Sequence, residues 1–155
     1  MEEIRDCIKL RGSLRLVLGD LDGNLIKEML IDNTVVTTGR AWMLGQLQSV
    51  NHSTPQNVSY IGIGSGTVAP VTGDSALGNE VTRLAISAFS TTGLTANPPS
   101  WRAEVVFATS NANTTLGEAA LFNSSAAGTM IARATFASFV KATSNTFAIS
   151  YTISG

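Results

Sequence analysis

The sequence predicts an all-β chain, mainly antiparallel and of sandwich or jelly-roll type, with one short α-helix near residues 39–48. Three observations predict it. Residues 8–16 and 146–154 alternate apolar and polar side chains with period two, the signature of half-buried strands. Turn residues separate a series of short apolar runs along the whole chain. Only one window, residues 38–48, carries helical spacing.

Taken in order, Ile8, Leu10, Leu14 and Leu16 face one way and Lys9, Arg11, Ser13 and Arg15 the other. Gly12 inside this run reads as a bulge or bend. Asp22-Gly23 supplies the positive φ of a tight hairpin, and residues 25–33 return as the second strand. Thr38 is placed to cap the helix. Ala41, Leu44, Leu47 and Gln48 form its apolar side, which Trp42 and Met43 broaden. Gly45 interrupts it, so packing must hold it. Residues 51–57 read as a polar loop, 58–64 as a strand ended by glycines, and 65–78 as a long connection. Residues 81–90, 101–108, 116–122, 129–136 and 146–154 read as further strands. Pro98-Pro99 marks a loop edge and 123–128 a hairpin loop. No repeat and no linker divides the chain, so residues 1–155 are expected to form a single β domain.

Composition narrows the function classes. Hydrophobic residues make up 44% of the chain and charged ones only 14%, against a usual charged share of about a quarter. Such a surface desolvates at little electrostatic cost when buried against a partner. The net charge of -1 sets up no field for nucleic acid. The local basic cluster is Lys9, Arg11 and Arg15, which we read as a partner-contact strip, with residues 1–7 as a contact arm. The single cysteine, Cys7, reads as a buried or half-buried thiol, and no Cys/His zinc spacing occurs. The acidic first six residues do not read as a secretory signal, and no apolar run is long enough to span a bilayer. No membrane partner is expected.

Four local patterns invite chemistry. Gly62-Ile63-Gly64-Ser65-Gly66-Thr67 matches the dinucleotide fingerprint only in its first two glycines, and Pro70 and Gly73 deny it a following helix. Gly73-Asp74-Ser75 resembles a nucleophile block, but the one histidine, His52, sits in a polar loop with no acidic neighbour. Asp20-Leu21-Asp22-Gly23-Asn24 imitates a calcium loop, yet the glycine comes early and Ile31 stands at the twelfth position. Glu80, Glu104 and Glu118 could supply an acid/base pair. Glu80 lies within reach of Arg83, and the apolar neighbours of Glu104 and Glu118 call for a partner such as Arg102 or Arg133 for each. No catalytic, cofactor-binding or metal-ligating residue is expected. Trp42, Tyr60 and Trp101 are read as core aromatics, with a sugar-binding platform as the alternative.

A family likeness rests on four ordered blocks. They are the hairpin Leu18-Gly19-Asp20-Leu21-Asp22-Gly23-Asn24 with residues 33–40; residues 60–67 with Ala69-Pro70, Asp74, Ala76-Leu77 and Glu80; Leu116-Gly117-Glu118-Ala119-Ala120-Leu121-Phe122-Asn123; and residues 128–136 with the terminal alternating strand. Together they resemble small virion proteins of tailed bacteriophages, whether capsid decoration (cement) proteins or tail-fibre-like proteins. The resemblance implies a non-enzymatic homotrimer, made in the host cytoplasm and resident in the virion. Its partner would be the major capsid protein or another virion protein. It carries over no catalytic residue.

Overall fold

The opening hairpin realises its alternation over the described residues. The computed structural model describes residues 10–48, 57–90, 92–96 and 98–155. Lys9, Cys7, His52 and the expected arm 1–7 lie outside the described residues. Strand β1 (Arg11–Gly19) pairs antiparallel with β2 (Leu25–Val35), from Gly12 opposite Asn33 to Leu18 opposite Lys27. Leu14, Leu16 and Leu18 are buried while Arg11 and Arg15 are exposed. The Asp20 carboxylate closes the turn, accepting from the amides of Asp22 at 2.9 Å and Asn24 at 2.7 Å, with Gly23 at φ 84°. Glycine enters that region at least conformational cost.

Helix α1 (Thr37–Gln48) follows, then β3 (Tyr60–Gly64), β4 (Glu80–Ala85), β5 (Ala88–Ser90), β6 (Ser100–Phe107), β7 (Thr115–Phe122), β8 (Met130–Val140) and β9 (Thr146–Ser154). The strands form one antiparallel nine-stranded sheet in the order β4-β3-β7-β8-β2-β1-β9-β6-β5, curled into a half-barrel. The expected all-β antiparallel architecture is therefore what the chain adopts, with its two layers as halves of one curled sheet.

Two bends produce the curl. Strand β2 lies along β1, and then its last residues, Thr34 and Val35, pair instead with Arg133 and Ala132 of β8. On the far side, Ile86 and Ser87 carry the chain from β4 to β5, donating their amides to Ser59 O and Glu104 O, each at 2.9 Å. A strand that changes layer at a bend makes such corners. Between the two halves lies the main core, built on Leu14, Leu16, Ile61, Phe107, Leu121 and Phe147.

The structure corrects several sequence expectations. Gly12 marks no bulge, since register is continuous through it and the shift falls between Leu18 and Gly19. Its missing Cβ leaves room for the Asn33 side chain opposite. Residues 81–90 are not one strand, because the corner at Ile86–Ser87 splits them. Strand β8 runs on to Val140, beyond the expected end at 136.

The helix is turned from its expected face. Leu44 is 63% exposed and Ala41 is exposed, while Gly39 is buried and Trp42 and Met43 pack on the core. The cause is Gly39, where any Cβ would strike the backbone of Ile131 in β8. Close approach at that glycine fixes which side meets the sheet. Thr38 does not cap the helix either. Its hydroxyl donates to Met130 O at 3.0 Å, and Val36 O accepts the first helical bond from the Arg40 amide.

Two glycines in this one helix should respond in opposite directions. Gly45 faces open space, so Gly45→Ala should raise unfolding free energy by about 0.5–1 kcal/mol. Gly39→Ala should lower it by about 1–3 kcal/mol through overpacking. Denaturant unfolding of both variants checks this.

Candidate functional site

Strand β7 is buried on both faces from Leu116 to Phe122. Ala119 and Leu121 look into the main core. The opposite face carries Glu118, Ala120 and Phe122, and a strand buried this way needs a second cover. The connection 65–79 supplies part of it, with Leu77 packing in a second apolar cluster with Val36, Ala120, Phe122 and Met130.

What fastens that connection is ionic. The Glu118 side chain has no exposed surface and that of Arg133 has 4%. Glu118 Oε1 accepts from the amides of Gly66 at 3.0 Å and Asn79 at 2.8 Å. Its Oε2 accepts from the Gly78 amide at 3.0 Å and from Arg133 Nε and Nη2 at 3.0 and 2.8 Å. Arg133 also donates to Asp74 Oδ2 at 2.7 Å and to Val68 O at 3.1 Å. Asp74 in turn accepts from the Val71 amide at 3.0 Å. One carboxylate–guanidinium pair thus clasps both ends and the middle of the loop to the sheet.

The glycine-rich motif now has its physical role. A Cβ on Gly64 would crowd Asn79 O and Glu118 Oε1, and one on Gly66 would overlap the Glu118 carboxylate. These glycines bring backbone amides onto an anion, as phosphate-binding loops do, but here the anion is the protein's own side chain.

Burial alone would push the Glu118 carboxyl up. The amides of Asn79 and Gly78, Arg133 and the Gly66 amide outweigh that and hold it below the usual carboxylate range. At Asp74 burial is likewise outweighed, by the Val71 amide and Arg133, and its carboxyl also lies low. Arg133 is pushed up, its burial outweighed by the two carboxylates.

A second arginine secures the neighbouring loop. Arg83 is held by both oxygens of Glu80, at 2.8 and 2.7 Å, and its guanidinium stacks 3.4 Å from the Phe122 ring centroid. Its Nη1 donates to Ser124 O and Ala127 O, each at 2.9 Å. Ala127 and Gly128 both adopt left-handed backbone, at φ 51° and 76°.

Between these two secured loops and α1 opens a cleft of about 380 Å³, lined by Thr38, Trp42, Ser75, Gly128, Thr129 and Met130. Trp42 also borders a second cleft, of about 370 Å³, with Asn57, Val58, Phe89 and Trp101. Both tryptophans of the chain therefore line this second cleft, and the Phe89 and Trp101 rings stand 5.8 Å apart. Tyr60, grouped with them in the sequence, packs on the second apolar cluster instead.

Glu80 pairs with Arg83 as expected, and of the two arginines named for the other glutamates Arg102 takes Glu104 at 3.2 Å and Arg133 takes Glu118. They do not converge, since each carboxylate has its own arginine. Among the basic strip, Lys9 is outside the described residues and Arg11 is exposed. Arg15 is exposed too, with its charge offset by Glu28 at 2.7 Å. Ser75 is exposed, and no group of three His, Cys, Asp or Glu that could hold a metal occurs among the described residues.

Sequence reasoning missed Asp74 as the second carboxylate on Arg133, and it missed Lys141. That lysine is fully buried, donates to Ala108 O and Asn113 Oδ1 at 2.9 Å each, and burial lowers its pKa. No local signal marks Lys141, because its acceptors come from a distant turn. Comparison with family models, curated proteins and solved structures finds no match to this chain.

Replacing Glu118 with Gln should cost about 2–3 kcal/mol at pH 7, because the charge-assisted bonds to Arg133 and the three loop amides weaken and Asp74 is left as the one counter-ion of the buried guanidinium. Glu118 and Asp74 have folded pKa values below their unfolded ones. Their contribution is therefore complete above the ordinary carboxylate range, about 4, and lost as pH falls through the folded values. Unfolding of the parent protein should become easier with acidification below about pH 4, with a shallower dependence in Glu118→Gln. Urea titrations across pH 2–7 check both.

Proposed function

We propose that this chain is a non-enzymatic structural protein of a tailed-bacteriophage virion. In this reading it is a trimeric capsid decoration protein that binds the assembled head and stabilises it. The observation that carries the reading is the clasped loop. Its tip displays Val68 at 76% exposure and Val71 at 59%, while buried ions fix the backbone beneath them. Apolar side chains held outward on an ordered loop suit docking into a neighbour. The charge-poor surface and the four-block resemblance to virion proteins support the same reading. A protein that binds only the assembled lattice stabilises it by mass action, and a trimer gains avidity from several modest contacts.

A second reading places the chain in a tail fibre or baseplate, where it touches a host-surface glycan. The meeting of Trp42 and Trp101 at adjoining clefts favours it. Copy number separates the two locations: high occupancy per particle fits the head, and a few copies fit the tail.

Val68→Asp/Val71→Asp should leave thermal stability unchanged and reduce particle occupancy roughly tenfold or more, as loss of a hot-spot contact does. Removal of residues 1–7 should also lower occupancy. Full occupancy in both variants contradicts the docking assignments.

A further inference from the structure

We propose that the clefts on either side of Trp42 bind a neutral oligosaccharide. The inference rests on the glycan contact of the second reading and deepens it by naming site and ligand class. It holds for the isolated protein, wherever the chain sits in a particle.

Size and lining agree with a ligand site. Each cleft, at about 380 and 370 Å³, lies within the range of small-ligand pockets, about 300–1,000 Å³. A sugar ring offers an apolar C–H face and a rim of hydroxyls. The apolar face needs an aromatic platform, which the half-buried Trp42 indole provides, with Trp101 and Phe89 in the second cleft. The hydroxyl rim needs small polar partners. Thr38, Ser75 and Thr129 provide hydroxyls in the first cleft, and Asn57 an amide in the second. Thr38 donates its proton to Met130 O, so its hydroxyl can serve a ligand as an acceptor.

Charge decides the class. Among the described residues no charged side chain lines either cleft. A sialylated, sulfated or phosphorylated ligand would be buried there without a counter-ion, which is costly. A purely apolar ligand would cover the Ser75 and Thr129 hydroxyls of the first cleft without offering either a partner.

The walls are also fixed in advance, which lowers the entropic cost of binding. Ser75 follows Asp74, which Arg133 holds at 2.7 Å. Gly128 and Thr129 end the loop that Arg83 secures through Ser124 O and Ala127 O, and the Thr129 amide donates to Asn123 Oδ1 at 2.7 Å. The two arginine anchors thus set the two sides of one cleft.

The full-length chain should be applied to an array of neutral and acidic oligosaccharides, with hits titrated by tryptophan fluorescence. The expected result is retention of neutral oligosaccharides. Trp42→Ala should weaken binding roughly tenfold. Ser75→Ala and Thr129→Val should each weaken it about fivefold, the loss of one hydrogen bond, with melting temperature unchanged. If Trp42→Ala fails to fold, the two hydroxyl variants carry the test. Unchanged affinity in both overturns the assignment. Retention of acidic glycans alone, dependent on Trp42, overturns the neutral class and leaves the glycan reading standing. No retained glycan overturns both, and capture of an apolar peptide at Trp42 without glycan binding does the same.

Discussion

A carboxylate sealed inside a β-sheet is the constraint around which this molecule is arranged. Glu118 lies in the middle of β7 with no exposed surface. A charge so placed requires both a counter-ion and hydrogen bonds to its lone pairs. Arg133 from the adjacent strand provides the first, and backbone amides of the 65–79 loop provide the second. The loop must therefore cross directly over the sheet. Gly64 and Gly66 are the residues that let its backbone come close enough. Cover for the second face of β7, the outward valines and one wall of the Trp42 cleft all follow from that crossing.

The curled sheet supports the same arrangement from below. Strand β2 changes partner at Thr34, which delivers Val36 and the start of α1 beside β8. Gly39 then allows the helix to sit against Ile131, and this sets Trp42 at the cleft. Arg83 links the edge strand β4 to the 123–129 loop on the other side. Sequence-distant segments around residues 38, 75 and 128 are brought together by the close contacts of three glycines and by two arginine anchors, without any disulfide.

Much of this was legible in the chain. Alternation located β1 and β9, and Asp22-Gly23 located the first turn and so the returning β2, because period and turn chemistry are local properties. The need of a buried glutamate for an arginine pointed correctly to Arg133 for Glu118, since burial of a charge is costly wherever it occurs, whereas Glu104 and Arg102 pair with both side chains half exposed. What escaped depended on tertiary contact. The helix face was misread because apolar spacing in α1 is weak and Gly39, not the leucines, determines the approach. Gly12 was misread because its partner is the side chain of Asn33, on another strand. Asp74 was missed because its arginine lies 59 residues away. The cleft could not be drawn, although Trp42 and Trp101 were already singled out, since nothing in the sequence brings α1 and β6 together or separates Tyr60 from them.

The central claim is that buried ions hold the 65–79 loop as firmly as the strands beneath it. Native-state amide hydrogen exchange tests this most directly, residue by residue, at neutral pH. The account predicts that the amides of Gly66, Gly78 and Asn79 exchange as slowly as those of Ala119 and Leu121 in β7. Exchange of those three amides at the rate of exposed turns such as Leu21 and Asp22, while β7 stays protected, would contradict it.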